Sequence, residues 1–168
     1  MEKEEINNHP IFSEFTNVEP SEEKKGNVIE TIEERFAIER KQWNARISEL
    51  AKKIKDINSI ASLQVDVYST RQELVEYYHY LISLISRKNI GIRERKRGRY
   101  EFYTNGYDYK LSPSQKEMYI KVDLVELFKV RDELENHSKY IEKTMSTVDN
   151  IIFGIKHRIS LEEYRRRL

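Results

Sequence analysis

Between residues 28 and 58, apolar side chains recur at every seventh position: Ile29, Phe36, Trp43, Leu50 and Ile57. Ile32, Ile47 and Ile54 fill positions between them, and charged residues take most of the remainder. That spacing lines one face of a helix, as in a coiled coil or helical bundle. Asn58-Ser59 offers a break. A second helix is predicted from about Ser62, with Tyr68, Leu74, Val75, Tyr78, Leu81, Ile82 and Ile85 on its apolar face. Gly91 and Gly98 weaken its far end, each by about 1 kcal/mol relative to Ala. A kink or an end is expected between them.

Residues 100–112 follow a different pattern. Tyr100, Phe102, Tyr103, Tyr107 and Tyr109 crowd around Asn105-Gly106, the strongest turn signal in the chain. A short β-hairpin with arms Tyr100–Thr104 and Tyr107–Leu111 is one option. A loop joining two antiparallel helices is the other, and it is favoured slightly.

A third helix is predicted to open at Ser112-Pro113-Ser114-Gln115. Ser112 suits the N-cap, Pro113 the first helical position, and Gln115 can complete a capping box. The apolar face continues through Val122, Val125, Leu127, Leu134, Ile141, Met145, Val148, Ile152, Ile155 and Ile159. Unbroken from 113 to 160, this helix would span roughly 70 Å at 1.5 Å per residue. Gly154 interrupts it only mildly and is a candidate for close helix approach.

The expected fold is therefore mainly α: long helices in an antiparallel or coiled-coil arrangement, with the stretch near 100–111 as the single place for a β-hairpin. Composition adds a constraint. Hydrophobic residues make up 38% of the 168 residues and charged residues 35%, with five Gly and three Pro. A single compact core would be thin, so another copy of the chain is the simplest partner for a long apolar stripe. Leu134, Ile141, Met145, Val148, Ile152, Ile155 and Ile159 are the expected oligomerisation residues. The organisation read from these patterns is an acidic, disordered tail at 1–26, a heptad helix at 27–61, and a nucleic-acid-binding and oligomerisation domain at 62–168.

The net charge of +1 hides blocks. Residues 1–26 hold seven Glu and three Lys, whereas residues 87–99 hold seven Lys/Arg against one Glu. Ile11, Phe12 and Phe15 form a small apolar cluster inside the acidic tail. The tail lacks the apolar core of a signal peptide, and no run approaches the roughly 18 apolar residues of a membrane helix. Absence of Cys removes disulfides, thiolate zinc sites and Cys nucleophiles, and fits a cytoplasmic location.

Catalytic signatures are missing. The chain has no Gly-rich phosphate loop and no His-Glu-x-x-His, and His9, His79, His137 and His157 are too dispersed to suggest a metal site. They read as solvated or cap-supporting residues. Carboxylate pairs such as Glu33-Glu34 and Glu162-Glu163 read as solvated helix faces. No enzyme, cofactor or metal is expected.

The segment with functional content is Arg87–Tyr109. Arg87, Lys88, Arg93, Arg95, Lys96, Arg97 and Arg99 run directly into Tyr100, Phe102 and Tyr103. Cations along the phosphates and rings under the bases are how single strands are held. The competing view makes the arginines a solvated helix face and the tyrosines core. Interleaving of the two residue types favours polynucleotide binding. The Arg165–Arg167 run is explained about as well by stabilisation of a helix C-terminus.

The run Arg97-Gly98-Arg99-Tyr100-Glu101-Phe102-Tyr103-Thr104-Asn105-Gly106 resembles the signature segment of the UvsY-type recombination mediators of tailed phages. Tyr119, Asp123 and the pattern across Tyr140–Tyr164 are similar as well, so the likeness covers roughly residues 50–168. It implies single-stranded DNA binding, contacts with a recombinase and with single-strand-binding protein, and rings of six or seven protomers without catalytic activity. The family's two DNA-contacting basic positions would fall on Arg97 and Arg99, and the C-terminal helix would carry assembly. For a phage-encoded chain the location would be the host cytoplasm. Gly98 and Asn105 depart from the family pattern, and residues 1–45 have no counterpart in it. The alternative is a coiled-coil scaffold whose basic segment binds a protein partner.

Overall fold

A computed structural model describes residues 25–167, with side chains from residue 31 onward except Ile57. The expected acidic tail, its Ile11, Phe12 and Phe15 cluster, and His9 lie outside the described residues, save that helix already begins at Lys25. Four helices follow: α1 (Lys25–Lys53), α2 (Ile60–Glu101), α3 (Pro113–Asp123) and α4 (Val125–Arg166), with no strand among the described residues. None of these helices is long and apolar enough to cross a membrane.

The break after α1 uses local polar chemistry. The Asp56 carboxylate accepts from the Asn58 backbone N–H at 3.0 Å, and a 3₁₀ turn at Ile57–Ser59 redirects the chain into α2. α2 then runs 42 residues, about 63 Å at 1.5 Å per residue. It does not end at Gly91 or Gly98. Both sit in continuous helix with nothing within 4 Å of where a Cβ would lie. The local cost of two glycines is small against a helix nucleated and packed along its preceding turns.

α4, also 42 residues, packs antiparallel along α2, and Arg71 meets Asp149 between them at 2.6 Å. α1 lies parallel to α4 across the middle of this pair. The Tyr140 hydroxyl donates to the Arg40 carbonyl at 3.0 Å, and Arg46 grips Glu73 of α2 through two N–H donors. Phe36, Leu63, Val67, Leu74, Leu81, Ile141, Val148 and Ile155 form the dry centre. Trp43, Ile54, Met145, Ile152 and Ile159 pack at its edge.

The expected assembly stripe is thus core of the protomer. Leu134, Ile141, Val148 and Ile155 are buried without any partner chain, and Met145, Ile152 and Ile159 lean on the same cluster. The reason is geometric: α2 is as long as α4, so it covers the stripe along its full length, and α1 closes the third side. Gly154 faces Ile54 at a distance that would leave a Cβ in ordinary contact, 3.8 Å, so close approach does not demand glycine there.

The heart of the core is polar. His137 is completely buried on α4, stacked on Phe36 with ring centroids 4.0 Å apart. Its Nε2 lies 3.0 Å from the Glu39 carboxylate, which also accepts the Tyr77 hydroxyl proton. Nδ1 has no partner, so the tautomer carrying hydrogen on Nε2 leaves no orphan donor. The expectation that the histidines are solvated or capping fails for His137; His79 and His157 are exposed as expected. Burial opposes charge on Glu39. The hydrogen bonds from His137 and Tyr77, with Arg35 nearby, outweigh that and hold its carboxyl below the ordinary range.

Candidate nucleic-acid interface

Helix does not stop at the aromatic segment. Phe102–Gly106 forms one π-helical turn continuing α2, where a hairpin was one of the two sequence expectations. A two-residue hairpin turn of type I′ needs positive φ at Asn105 and Gly106, and no described residue has positive φ. Tyr103 supplies the reason. The helical path drives its ring into a small second core with Ile120 and Leu124, flanked by Leu111, Leu127 and Phe128. Its hydroxyl donates to Asp123 at 2.8 Å. Burial and that carboxylate push the phenol above its ordinary value.

The return path follows the capping chemistry read from the sequence. Ser112 Oγ accepts from the Gln115 N–H at 3.3 Å, Gln115 Oε1 accepts from the Ser112 N–H at 2.9 Å, and Pro113 occupies the first turn. The predicted third helix does not run unbroken to 160. It bends at Leu124, whose φ of −103° and ψ of 7° lie outside the α region. The buried Leu124 side chain sits in the second core, and the bend lays α3 back on the π turn. Tyr119 of α3 stacks on Tyr103 at 5.7 Å.

The outcome is a tip built from the end of α2, the π turn and α3. Rings of Phe102, Tyr103, Tyr107, Tyr109 and Tyr119 interlock, with neighbouring centroids 5.2 to 6.4 Å apart. Tyr109 is 74% exposed, Tyr100 45%, Phe102 44%, and Tyr107 and Tyr119 38% each. Each keeps part of its side-chain surface exposed. Tyr103 is different: at 8% exposure it holds the tip together and is removed from the expected binding set.

All seven expected cations are exposed: Arg87, Lys88, Arg93, Arg95, Lys96, Arg97 and Arg99. From Arg93 to Phe102 every side chain is exposed, so the cations surround the helix instead of forming one stripe. Arg97 pairs loosely with Glu101 and Arg99 with Asp123, both at 3.4 Å. Arg99 also lies over the Phe102 ring at 6.0 Å.

Sequence reasoning missed Lys116 as part of this site. Its ammonium donates to Thr104 Oγ1 at 3.0 Å and sits 5.4 Å over the Tyr100 ring. The capping box fixes where α3 starts, and so which residues share its face. That this face meets the π turn is visible only in three dimensions. Among the described residues no group of three or more side chains could hold a metal ion. No family model, no curated protein and no solved structure matches the chain.

Proposed function

We propose that this protein binds single-stranded DNA through the tip of its α2–α3 hairpin and acts as a recombination mediator. In that role it helps to load a recombinase onto DNA covered by single-strand-binding protein. One observation carries the binding step: a sleeve of exposed cations from Arg93 to Arg99 runs directly into the exposed rings of Tyr100, Phe102, Tyr107 and Tyr109. Cations follow a flexible phosphate chain, and ring faces accept unpaired bases of any sequence. Lys116 adds a further positive charge beside Tyr100. The mediator role, the two protein partners and a ring of six or seven protomers rest on the resemblance of residues 97–106 to the UvsY-type segment.

Self-association would have to use side chains outside the core. Met118, Val122 and Val125 at the tip, Phe153, Leu161 and Tyr164 on α4, and Ile38 and Val65 on α1 and α2 are among the exposed apolar groups available. Repetition of the tip around an assembly would convert weak single contacts into avid binding.

The test is fluorescence anisotropy with a labelled oligo-dT and a matching duplex across a salt series. Arg97→Ala with Arg99→Ala is expected to weaken single-strand binding and flatten the log–log salt slope by about 1.4, at roughly 0.7 for each phosphate no longer neutralised. Tyr100→Ala with Phe102→Ala is expected to weaken binding at all salt concentrations, by about 1–3 kcal/mol per base unstacked. Failure of the unaltered protein to retain oligonucleotide in dilute buffer would sink the proposal and leave the scaffold alternative.

A further inference from the structure

Between α2 and α4, at the base of the cationic sleeve, lies an open groove. Ile82, Ile85 and Ile92 form its apolar floor, and Arg93 and Arg131 stand on its rim. Ile82 is 42% exposed. Among the described residues no carboxylate reaches ion-pair distance of Lys88, Arg93, Arg95 or Lys96. Ile82 is thus the open part of the apolar floor, Ile85 being half-buried and Ile92 buried, and the groove carries a surplus of positive charge.

The register of α1 shows what begins level with it along the bundle axis. Glu39 meets Tyr77 of α2 and His137 of α4. One turn on either side of Phe36, Ile32 and Glu39 face the same core, which includes Leu84 and Val130. α1 is antiparallel to α2, so moving back from Ile32 to Lys25 advances along α2 by about 10 Å at 1.5 Å per residue. That brings the start of α1 level with the Asn89–Ile92 turn of α2 but on its other face. Glu73 and Tyr77 face α1, whereas Ile82, Asn89 and Arg93 lie on the face of Arg71, which meets Asp149. The preceding segment must therefore pass around one helix, about 10–12 Å across, to reach the groove. Residues 1–24, which precede it, hold seven Glu against two Lys and include Ile11, Phe12 and Phe15. Ten residues separate Phe15 from Lys25, a reach of up to about 33 Å when extended.

We infer that residues 1–24 dock on their own protomer, with Ile11, Phe12 and Phe15 in the Ile82–Ile92 groove and the flanking glutamates against the basic sleeve. Size, chemistry and tether length all match: a short apolar cluster meets a short apolar floor, and net negative charge meets unpaired cations. The docked segment occupies the phosphate track, so a polynucleotide must displace it. This makes the segment an internal competitor that sets a threshold for binding, weakest against long strands that engage many tips. The competitive part of the inference rests on the polynucleotide reading of the tip; the docking part does not.

The experiment uses the full chain and two independent readouts. Zero-length carbodiimide coupling, followed by peptide mass spectrometry, is expected to join glutamates of residues 1–24 to Lys88 or Lys96. Mixed isotope-labelled chains should show the link within one chain. Phe12→Ser with Phe15→Ser should abolish it. In parallel, Glu14→Gln, Glu19→Gln, Glu22→Gln and Glu23→Gln together should raise oligo-dT affinity several-fold at low salt, with the gain shrinking as salt rises. Absence of the link, or links only between chains, overturns the docking. A link without any oligonucleotide binding keeps the docking and removes the polynucleotide reading. Binding with no link and no response to the four substitutions keeps that reading and removes the inference.

Discussion

Glu39 on α1 and His137 on α4, 98 residues apart, meet at 3.0 Å in the middle of the core, with the Tyr77 hydroxyl closing the triangle from α2. Each of the three long helices contributes one member. The cluster therefore fixes their mutual register, because an apolar stripe alone would tolerate a one-turn slip.

Removing Glu39 leaves the other two with only each other, the Tyr77 hydroxyl lying 3.2 Å from His137 Nε2. Glu39→Ala deprives the buried His137 and Tyr77 of their common acceptor and is expected to cost about 2–4 kcal/mol of unfolding free energy. Urea denaturation at neutral pH checks this. A loss below about 0.5 kcal/mol would show that the triangle contributes little to stability.

The same cluster predicts an acid dependence. The folded state holds the Glu39 carboxyl below its ordinary value. Its stabilising contribution is thus fully present above the unfolded glutamate pKa, about 4.3. It is lost as pH falls through the lower folded value. The stability difference between the unaltered protein and Glu39→Gln should be constant from pH 7 to 5 and shrink below about 4.3. A difference that grows on acidification would reverse the assigned sign.

The two faces of α4 should respond in opposite ways to a new charge. Ile155 is 2% exposed and Phe153 is 72% exposed. Ile155→Asp buries an unpaired carboxylate and is expected to abolish cooperative thermal unfolding of the protomer itself. Phe153→Asp should change stability by less than about 0.5 kcal/mol, as surface substitutions do. Circular dichroism melts and a light-scattering mass separate the two effects. If Ile155→Asp yields a smaller but fully folded species, the stripe is an assembly surface after all.

Gly98 offers a gain. It lies in exposed helix with open space where a Cβ would be. Gly98→Ala should raise the stability of the sleeve by up to about 1 kcal/mol. The readout is slower amide exchange at residues 95–101. Faster exchange there would mean that the sleeve bends at this glycine.

The tip depends on one hydroxyl more than on its exposed rings. Tyr103→Phe keeps the packing but removes the 2.8 Å bond to Asp123, which also neighbours Arg99. A loss of about 1 kcal/mol is expected. Tyr109→Ala, at 74% exposure, should leave stability unchanged. Equal effects of the two would contradict the buried role of Tyr103.

Much of this architecture is legible along the chain. The heptad repeat of Phe36, Trp43 and Leu50, the break near Asn58-Ser59 and the capping box at Ser112 and Gln115 each depend on neighbours within one or two turns. Short-range chemistry of that kind is decided before the helices meet. The exposure of the Arg93–Arg99 cations was equally readable, since nothing nearby offers them burial.

What tertiary structure alone decided is which surface covers which. The stripe from Leu134 to Ile159 looks the same in sequence whether a second copy or α2 covers it; a partner helix of equal length in the same chain made it core. Asn105-Gly106 carries a strong turn signal, yet the hold of Ile120 and Leu124 on Tyr103 kept the backbone helical. Glu39 and His137 each look solvated in isolation. Burial became tolerable only because three helices brought an acceptor and two donors to one point, a condition set by contacts far apart along the chain.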